Sequence, residues 1–132
     1  GLCNGGGALA EALPEGAKLV RYVRHGQSTG NAARMEAMAA DERDGGRCHE
    51  AAYEQCGEYI DCPLSAAGRQ QAEWTRSQVP VWRRPPQLVV SSPLTRAIQT
   101  AAIAFEAELL EGSVRFVVRP EMREFYPDNN EN

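Results

Sequence analysis

The chain has 132 residues, which predicts a single domain with enough length to bury a sizeable core. Its composition, 42% hydrophobic and 24% charged, is ordinary for a soluble globular protein. No apolar run approaches a membrane span and no signal pattern opens the chain, so we expect a cytoplasmic protein without a membrane partner. The net charge of -4 argues against a nucleic-acid binder, although a few local arginines can still bind an anionic substrate.

The chain opens with a glycine-rich stretch that is followed by a short apolar run. We expect residues 1–16 to be a flexible leader and residues 17–132 to form the domain. Residues 18–24 are rich in β-branched and aromatic side chains, which predicts a first buried strand. An alanine-rich segment over 31–43 predicts the first helix, and Gly45-Gly46 stops it.

The middle of the chain has one poor pattern and one clear pattern. Residues 47–62 support at most a short helix over 50–58. Pro63 then forces an extended entry, and Ser65 is placed to cap a helix that runs to about Gln78.

The second half of the chain predicts a strand, a helix and a further strand. Residues 87–91 and 114–118 are the two apolar strands. Ser92 is placed to cap the intervening helix, with Pro93 at its first position and Gly112 at its end. This order predicts a parallel α/β sheet with helical crossovers. Apolar residues at helical spacing predict that one helix face packs on the sheet: Leu94, Ala97, Ile98, Ala101, Phe105 and Leu109.

Four cysteines are present, at positions 3, 48, 56 and 62. They lack the paired spacing of a zinc site, and the chain is too long to need disulfide staples. Cys48, His49, Cys56 and Cys62 could in principle gather around one metal. Reduced cysteines in an intracellular protein are the simpler interpretation.

Chemically useful side chains follow each predicted strand. Arg24 and His25 lie where the first strand ends and a helix begins, Arg96 lies in the first turn of a later helix, and carboxylates at 121 and 124 follow the last strand. Parallel strands bring such residues to one sheet edge, where a nucleophilic imidazole, guanidinium clamps and a proton donor suit phosphoryl transfer. Taken singly, each residue has a plain alternative as a solvated surface group.

Three of these segments resemble motifs of the histidine phosphatase superfamily, the phosphoglycerate-mutase-like group. VRHGQSTGN at 23–31 resembles its defining motif, DCPLSAAGRQQA at 61–72 its Leu-Ser/Thr-x-x-Gly-x-x-Gln-Ala segment, and VVSSPLTRAIQTA at 89–101 its second arginine motif. The resemblance implies a three-layer α/β fold with a parallel sheet. It also implies a phosphatase that acts through phosphohistidine on a small phosphorylated substrate, with no cofactor or metal.

The resemblance also implies roles for individual residues. His25 matches the histidine that becomes phosphorylated, and Glu124 matches the proton donor, with Glu121 close enough to leave that role open. The residues implied to bind phosphate are Arg24, Asn31 and Arg96.

Two family features are missing from the sequence. Family members place a second histidine after a later strand, whereas this chain has only His25 and His49, and His49 precedes the second strand. We therefore interpret His49 as a surface residue. The later strand, which in the family lies between the first two strands found here, is also missing. We therefore expect the chain to be the N-terminal part of an incomplete domain.

Two other functions compete with the phosphatase. One is a catalytically impaired or truncated relative that binds phosphorylated ligands or a protein partner. The other is a phosphoglycerate mutase, which fits less well because residues 27–31 differ from the Glu-Ser-x-Trp-Asn of glycolytic mutases. The sequence predicts neither the substrate nor the oligomeric state.

Overall fold

The computed structural model describes residues 13–123, which form five α-helices and one two-stranded sheet. The expected leader is mostly outside the described residues, and so are Cys3 and Glu124. The helices are α1 (Thr29–Asp44), α2 (Cys48–Glu54), α3 (Ala66–Gln78), α4 (Thr95–Ala104) and α5 (Glu106–Glu111); the strands are β1 (Leu88–Ser91) and β2 (Arg115–Val118).

The sheet consists of two parallel strands. Leu88 pairs with Arg115 and Ser91 with Val118, so the strands are in register over their whole length. The chain returns from β1 to β2 through α4 and α5, which confirms the predicted parallel pair with a helical crossover. The three predicted layers are not confirmed by the described residues.

The hydrophobic core lies between β1 and the helices around it. Its buried members are Val79, Val89, Ala101, Ala104, Phe105 and Val114. The Trp82 ring meets the Phe105 ring edge-on, with 6.0 Å between their centroids. The predicted apolar face of the crossover is therefore correct at Ala101 and Phe105. The crossover is nevertheless divided, because Phe105 leaves helical geometry with φ -114° and ψ 25°.

The predicted first strand over 18–24 is wrong in the structure. No strand is assigned between residues 17 and 27, and Tyr22 is 89% exposed and Val20 65% exposed. A strand needs a neighbour to receive its backbone hydrogen bonds, and no described residue supplies one here. The segment is instead held through Arg21, whose guanidinium lies 4.8 Å from the Trp82 ring centroid and donates to the Arg84 carbonyl at 2.9 Å.

Helix α3 follows the sequence prediction closely. The Ser65 hydroxyl accepts the Gly68 N–H at 3.1 Å, so Ser65 is the N-cap, as predicted. The helix ends at Gln78, and a 3-10 turn over Val79–Val81 follows it. Helix α3 packs mainly against α4.

Helix α4 does not begin as predicted. Its first residue is Thr95 and its N-cap is Leu94, so neither Ser92 nor Pro93 has the expected position. The Ser92 hydroxyl instead accepts the Leu94 N–H at 3.3 Å within the turn before the helix. The backbone N–H of Thr95, at the start of the helix, donates instead to the carboxylate of Asp61.

The poorly patterned stretch holds a helix earlier than expected. Helix α2 begins at Cys48, and a 3-10 turn covers Gly57–Tyr59. Asp41 of α1 starts α2, because its carboxylate accepts the backbone N–H groups of His49 and Glu50, each at 2.9 Å. Among residues 13–123, no helix is both long enough and apolar enough to cross a bilayer.

Candidate active site

His25 lies in the turn between the extended segment and α1 and is half-buried. Its Nδ1 is 2.7 Å from the Gly26 carbonyl oxygen, and its Nε2 is 3.3 Å from Nε of Arg96. An arginine nitrogen can only donate, so Nε2 is the acceptor and carries the lone pair. The ring proton is then on Nδ1 and is donated to Gly26. This is the tautomer in which Nε2 can act as a nucleophile.

Arg96 is the second residue of α4 and is only 3% exposed. Besides its contact with His25, its Nη1 donates to the Ile60 carbonyl at 3.4 Å. A buried guanidinium requires such partners, because an unpaired charge in the interior is strongly unfavourable. The prediction that Arg96 lies in the first turn of a helix is confirmed.

Asp61 holds the start of α4. Its carboxylate accepts the Thr95 N–H at 2.7 Å and the Thr95 hydroxyl at 2.9 Å. These two hydrogen bonds, with smaller contributions from the charges of Arg96 and Arg123, hold the pKa of the Asp61 carboxyl below its usual range. Sequence reasoning assigned this cap to Ser92 and missed Asp61. Asp61 is the first residue of the DCPLSAAGRQQA segment, and this was the sequence signal that could have identified it. Its partner Thr95, however, lies 34 residues away.

Two glycines bring the His25 turn into direct contact with α3. A Cβ atom on Gly26 would overlap the Gly68 carbonyl, and a Cβ atom on Gly68 would overlap the Gln27 carbonyl. The Gly26 N–H also donates to the Thr100 hydroxyl at 3.0 Å, and that hydroxyl donates to the Arg96 carbonyl at 2.7 Å. The backbone beside His25 is therefore tied to both α3 and α4.

Asn31 takes part in the start of α1. Its side-chain oxygen accepts from the Ser28 N–H at 3.1 Å and from the Ser28 hydroxyl at 3.0 Å, while the Asn31 N–H donates to that hydroxyl. This is a capping box, with asparagine in the place usually taken by Glu or Gln. The predicted phosphate contact of Asn31 stays a prediction, and the side-chain amide nitrogen is the group it would use.

Arg24 is exposed and lies at the mouth of an open cleft. Arg96 and Asn31 are not among the residues that line this cleft. The structure joins Arg24 to His25 along the cleft and joins Arg96 to His25 at Nε2. The cleft is lined by Arg24, His25, Gly26, Gln71, Ala72, Thr75 and Thr100.

Of the two candidate proton donors, the structure describes Glu121, and it also describes the second histidine of the chain. Glu121 is exposed in a 3-10 turn after β2, and Glu124 lies outside the described residues. His49 is at the start of α2, where its Nε2 is 2.9 Å from an Asp44 carboxylate oxygen. The prediction that His49 is a surface residue is confirmed, because its side chain is 45% exposed.

Cys62 is buried against the N-terminus of α1. Burial opposes ionisation of its thiol, but hydrogen bonds from the Ser28 side chain, the Gly30 N–H and the Thr29 side chain outweigh it. Together with the Arg96 charge they hold the pKa of Cys62 below its usual range. Sequence reasoning gave this cysteine no role in the site.

A family model described as histidine phosphatase superfamily (branch 1) matches residues 45–131, well over half of the chain. The chain belongs to the histidine phosphatase superfamily. Membership supports a phosphatase or mutase-type function in general. Comparisons with curated proteins and with solved structures found no match.

The matched range contains Arg96 and Glu121 but begins after His25. The assignment of His25 in this superfamily member therefore depends on the VRHG sequence and on the contact between His25 and Arg96.

Proposed function

We propose that the chain is a phosphomonoester hydrolase that acts on a small phosphorylated substrate through a phosphohistidine intermediate on His25. One observation supports this above all. The buried Arg96 guanidinium, 71 residues away in sequence, lies 3.3 Å from the ring nitrogen that carries the lone pair. A guanidinium placed there can bind the phosphoryl oxygens while the imidazole attacks phosphorus.

In the first step Nε2 of His25 forms a bond to phosphorus, and the bond from phosphorus to the substrate alkoxy oxygen breaks. The hydrogen bond from Nδ1 to Gly26 orients the ring and stabilises the positive charge that develops on it. Arg96 and Arg24 neutralise the transferring group. A carboxylic acid protonates the leaving oxygen, and we assign this role to Glu124, with Glu121 as the alternative.

In the second step a water oxygen attacks the same phosphorus atom and the bond to Nε2 breaks, which releases phosphate and restores the neutral imidazole. The proton of that water passes to the carboxylate that acted in the first step, so the cycle closes without a cofactor.

Trapping the intermediate tests this proposal. The protein is mixed with a ³²P-labelled phosphomonoester, quenched in alkali and analysed for acid-labile, alkali-stable phosphate, the pattern of phosphohistidine. We expect His25→Ala to abolish the label and His49→Ala, which changes the other histidine of the chain, to retain it. A label that survives His25→Ala with the fold intact would overturn the assignment.

A second candidate is a relative that binds phosphorylated ligands without turnover. It is favoured by the position of His49, which bonds to Asp44 and so does not serve as a second histidine beside His25. Under this candidate the protein binds vanadate or phosphate but forms no phosphohistidine.

Anion binding therefore tests the phosphate-binding site independently of the phosphoryl-transfer reaction. Under either candidate, Arg96→Ala removes a charge-assisted contact of about 1.5–3 kcal/mol, so vanadate affinity should fall roughly ten- to a hundredfold. Arg43→Ala, which removes an exposed arginine in the last turn of α1, is the control and should leave affinity unchanged. Because Arg96 is buried, the fold is checked by circular dichroism. A folded Arg96→Ala protein with unchanged affinity would place Arg96 outside the site.

A further inference from the structure

Helices α1 and α2 bring three metal-binding side chains of different chemistry together. Asp41, Cys48 and His49 each place one ligand atom within 4.8 Å of the others. Cys56 and Cys62, which the sequence suggested as partners of Cys48 and His49, are not members of this cluster. The third member is instead the carboxylate of Asp41 on α1, which is only 6% exposed.

The three side chains are already arranged around a common point. Sγ of Cys48 lies 4.0 Å from Oδ1 of Asp41, within reach of a weak hydrogen bond from the thiol. Asp41 accepts two backbone N–H groups, one on each carboxylate oxygen, and a carboxylate has acceptor capacity for more than two partners. A cation between Sγ and the carboxylate would take the place of the thiol proton.

A fourth residue orients the imidazole of this cluster. Nε2 of His49 is 2.9 Å from Oδ2 of Asp44. When the neutral ring donates Nε2–H to this carboxylate, the lone pair is on Nδ1. A metal-binding histidine typically has such a carboxylate on its other nitrogen, which fixes the tautomer and raises the basicity of the ligand.

We propose that Asp41, Cys48 and His49 bind one zinc ion, with Asp44 as the residue that orients His49. A thiolate and an imidazole select zinc over magnesium and calcium, which prefer oxygen ligands. On binding, the Cys48 thiol releases its proton to solvent, and solvent water completes the coordination. Because the ligands come from two helices, the ion links the C-terminal half of α1 to the start of α2.

This site has a structural role. Helix α2 is short, its own N-cap Arg47 makes no side-chain capping bond, and the Asp41 carboxylate starts it instead. Its Tyr53 ring stacks on Tyr59 at 5.2 Å, and both lie close to Gly30 at the start of α1. Zinc that joins the helices would stabilise this packing, independently of the proposed phosphatase chemistry.

Calorimetric titration of the chelator-treated full chain with Zn²⁺, in the presence of a phosphine reductant, tests the site. We expect one Zn²⁺ per chain and a higher melting temperature on binding. Cys48→Ser and His49→Ala should each weaken binding at least tenfold, and Asp44→Asn should weaken it about ten- to a hundredfold. Cobalt substitution should give a thiolate charge-transfer band that Cys48→Ser removes.

Cys56→Ser is the matched control, because Cys56 is another free, exposed thiol in the same stretch of chain. It should bind Zn²⁺ as the parent does. Cys48 and His49 are themselves exposed, so their substitution leaves no cavity, and far-ultraviolet circular dichroism checks the fold. Absence of stoichiometric binding, or equal binding by a Cys48→Ser/His49→Ala protein, would overturn the proposal and leave the phosphohistidine proposal unaffected.

Discussion

At the scale of single residues, the site depends on groups that hold His25 and Arg96 in place. Gly26 accepts from the His25 ring, Thr100 links the Gly26 N–H to the Arg96 carbonyl, and Asp61 caps the helix that carries Arg96. Each of these contacts joins segments that are far apart in sequence or fixes a tautomer. Asp61 is the one whose contribution depends on pH within a range that can be measured.

Asp61→Asn should lower stability at neutral pH and lose that effect in acid. Hydrogen bonds from Thr95 lower the pKa of Asp61 in the folded protein relative to its ordinary value of 3.8. A lowered folded pKa means that the stabilisation is fully present above the unfolded pKa and is lost as pH falls through the folded pKa. The difference in melting temperature between parent and variant should therefore be constant from pH 7 to 5 and shrink below about pH 4.

Glu111→Gln is a suitable control, because this exposed carboxylate lies at the end of α5, away from any helix start. A difference for Asp61→Asn that persists unchanged to pH 3 would show that the charge of Asp61 does not stabilise α4.

At the scale of elements, the His25 turn crosses α3. This contact brings the VRHGQSTGN segment at 23–31 together with the DCPLSAAGRQQA segment at 61–72. Ser65 N–H donates to the Gln27 carbonyl at 2.9 Å, and Gln27 N–H donates to the Gln71 side chain at 2.8 Å. The crossing is this close because Gly26 and Gly68 have no Cβ atoms. Helix propensity alone would favour alanine at position 68, so two physical effects oppose each other there.

Gly68→Ala should destabilise the protein although it replaces glycine within a helix. Propensity alone predicts a gain of about 1 kcal/mol, whereas overlap of the new methyl with the Gln27 carbonyl predicts a loss of about 1–3 kcal/mol. The neighbouring atom is backbone and cannot rotate away, so we expect the loss to dominate. Urea denaturation of the parent and the variant measures the difference.

Gly46→Ala is the matched control, since a Cβ atom at position 46 meets nothing within 4 Å. It should change the free energy of unfolding by less than about 0.5 kcal/mol. A Gly68→Ala protein more stable than its parent would mean that the turn moves away from α3 readily.

At the scale of the whole molecule, the segment before His25 exposes several apolar side chains. Leu19, Val20, Tyr22 and Val23 are all exposed, and the segment has no ladder partner among residues 13–123. Unpaired backbone beside apolar side chains is a template for pairing with another chain. The protein is therefore expected to self-associate through this segment.

Val20→Lys should reduce that association without lowering stability. Val20 is 65% exposed, so a lysine there costs little packing and places charge on the edge. Sedimentation velocity across a concentration series should show a larger monomer fraction, with an unchanged melting temperature. Met38→Lys, at an exposed position on α1, is the control. Equal association of all three proteins would show that the segment is not the contact.

Local patterns determined much of this protein. The helix after Ser65, the end of α1 at Gly45, the parallel pairing of β1 with β2 and the family motifs were all readable from the sequence. In these cases the deciding interactions lie within a few residues of one another or follow from strand and helix order alone. The family assignment is confirmed by the family model that matches residues 45–131.

Other features were decided only by tertiary structure. An apolar run such as 18–24 becomes a strand only when a neighbouring strand receives its hydrogen bonds, and a local pattern carries no information about that neighbour. The start of α4 moved from Ser92 to Thr95 because a carboxylate 34 residues away satisfies its N–H. The contact of Arg96 with His25 spans 71 residues, and the cluster around Asp41 joins two helices. Such contacts depend on how elements pack, which the residue pattern along a single element does not specify.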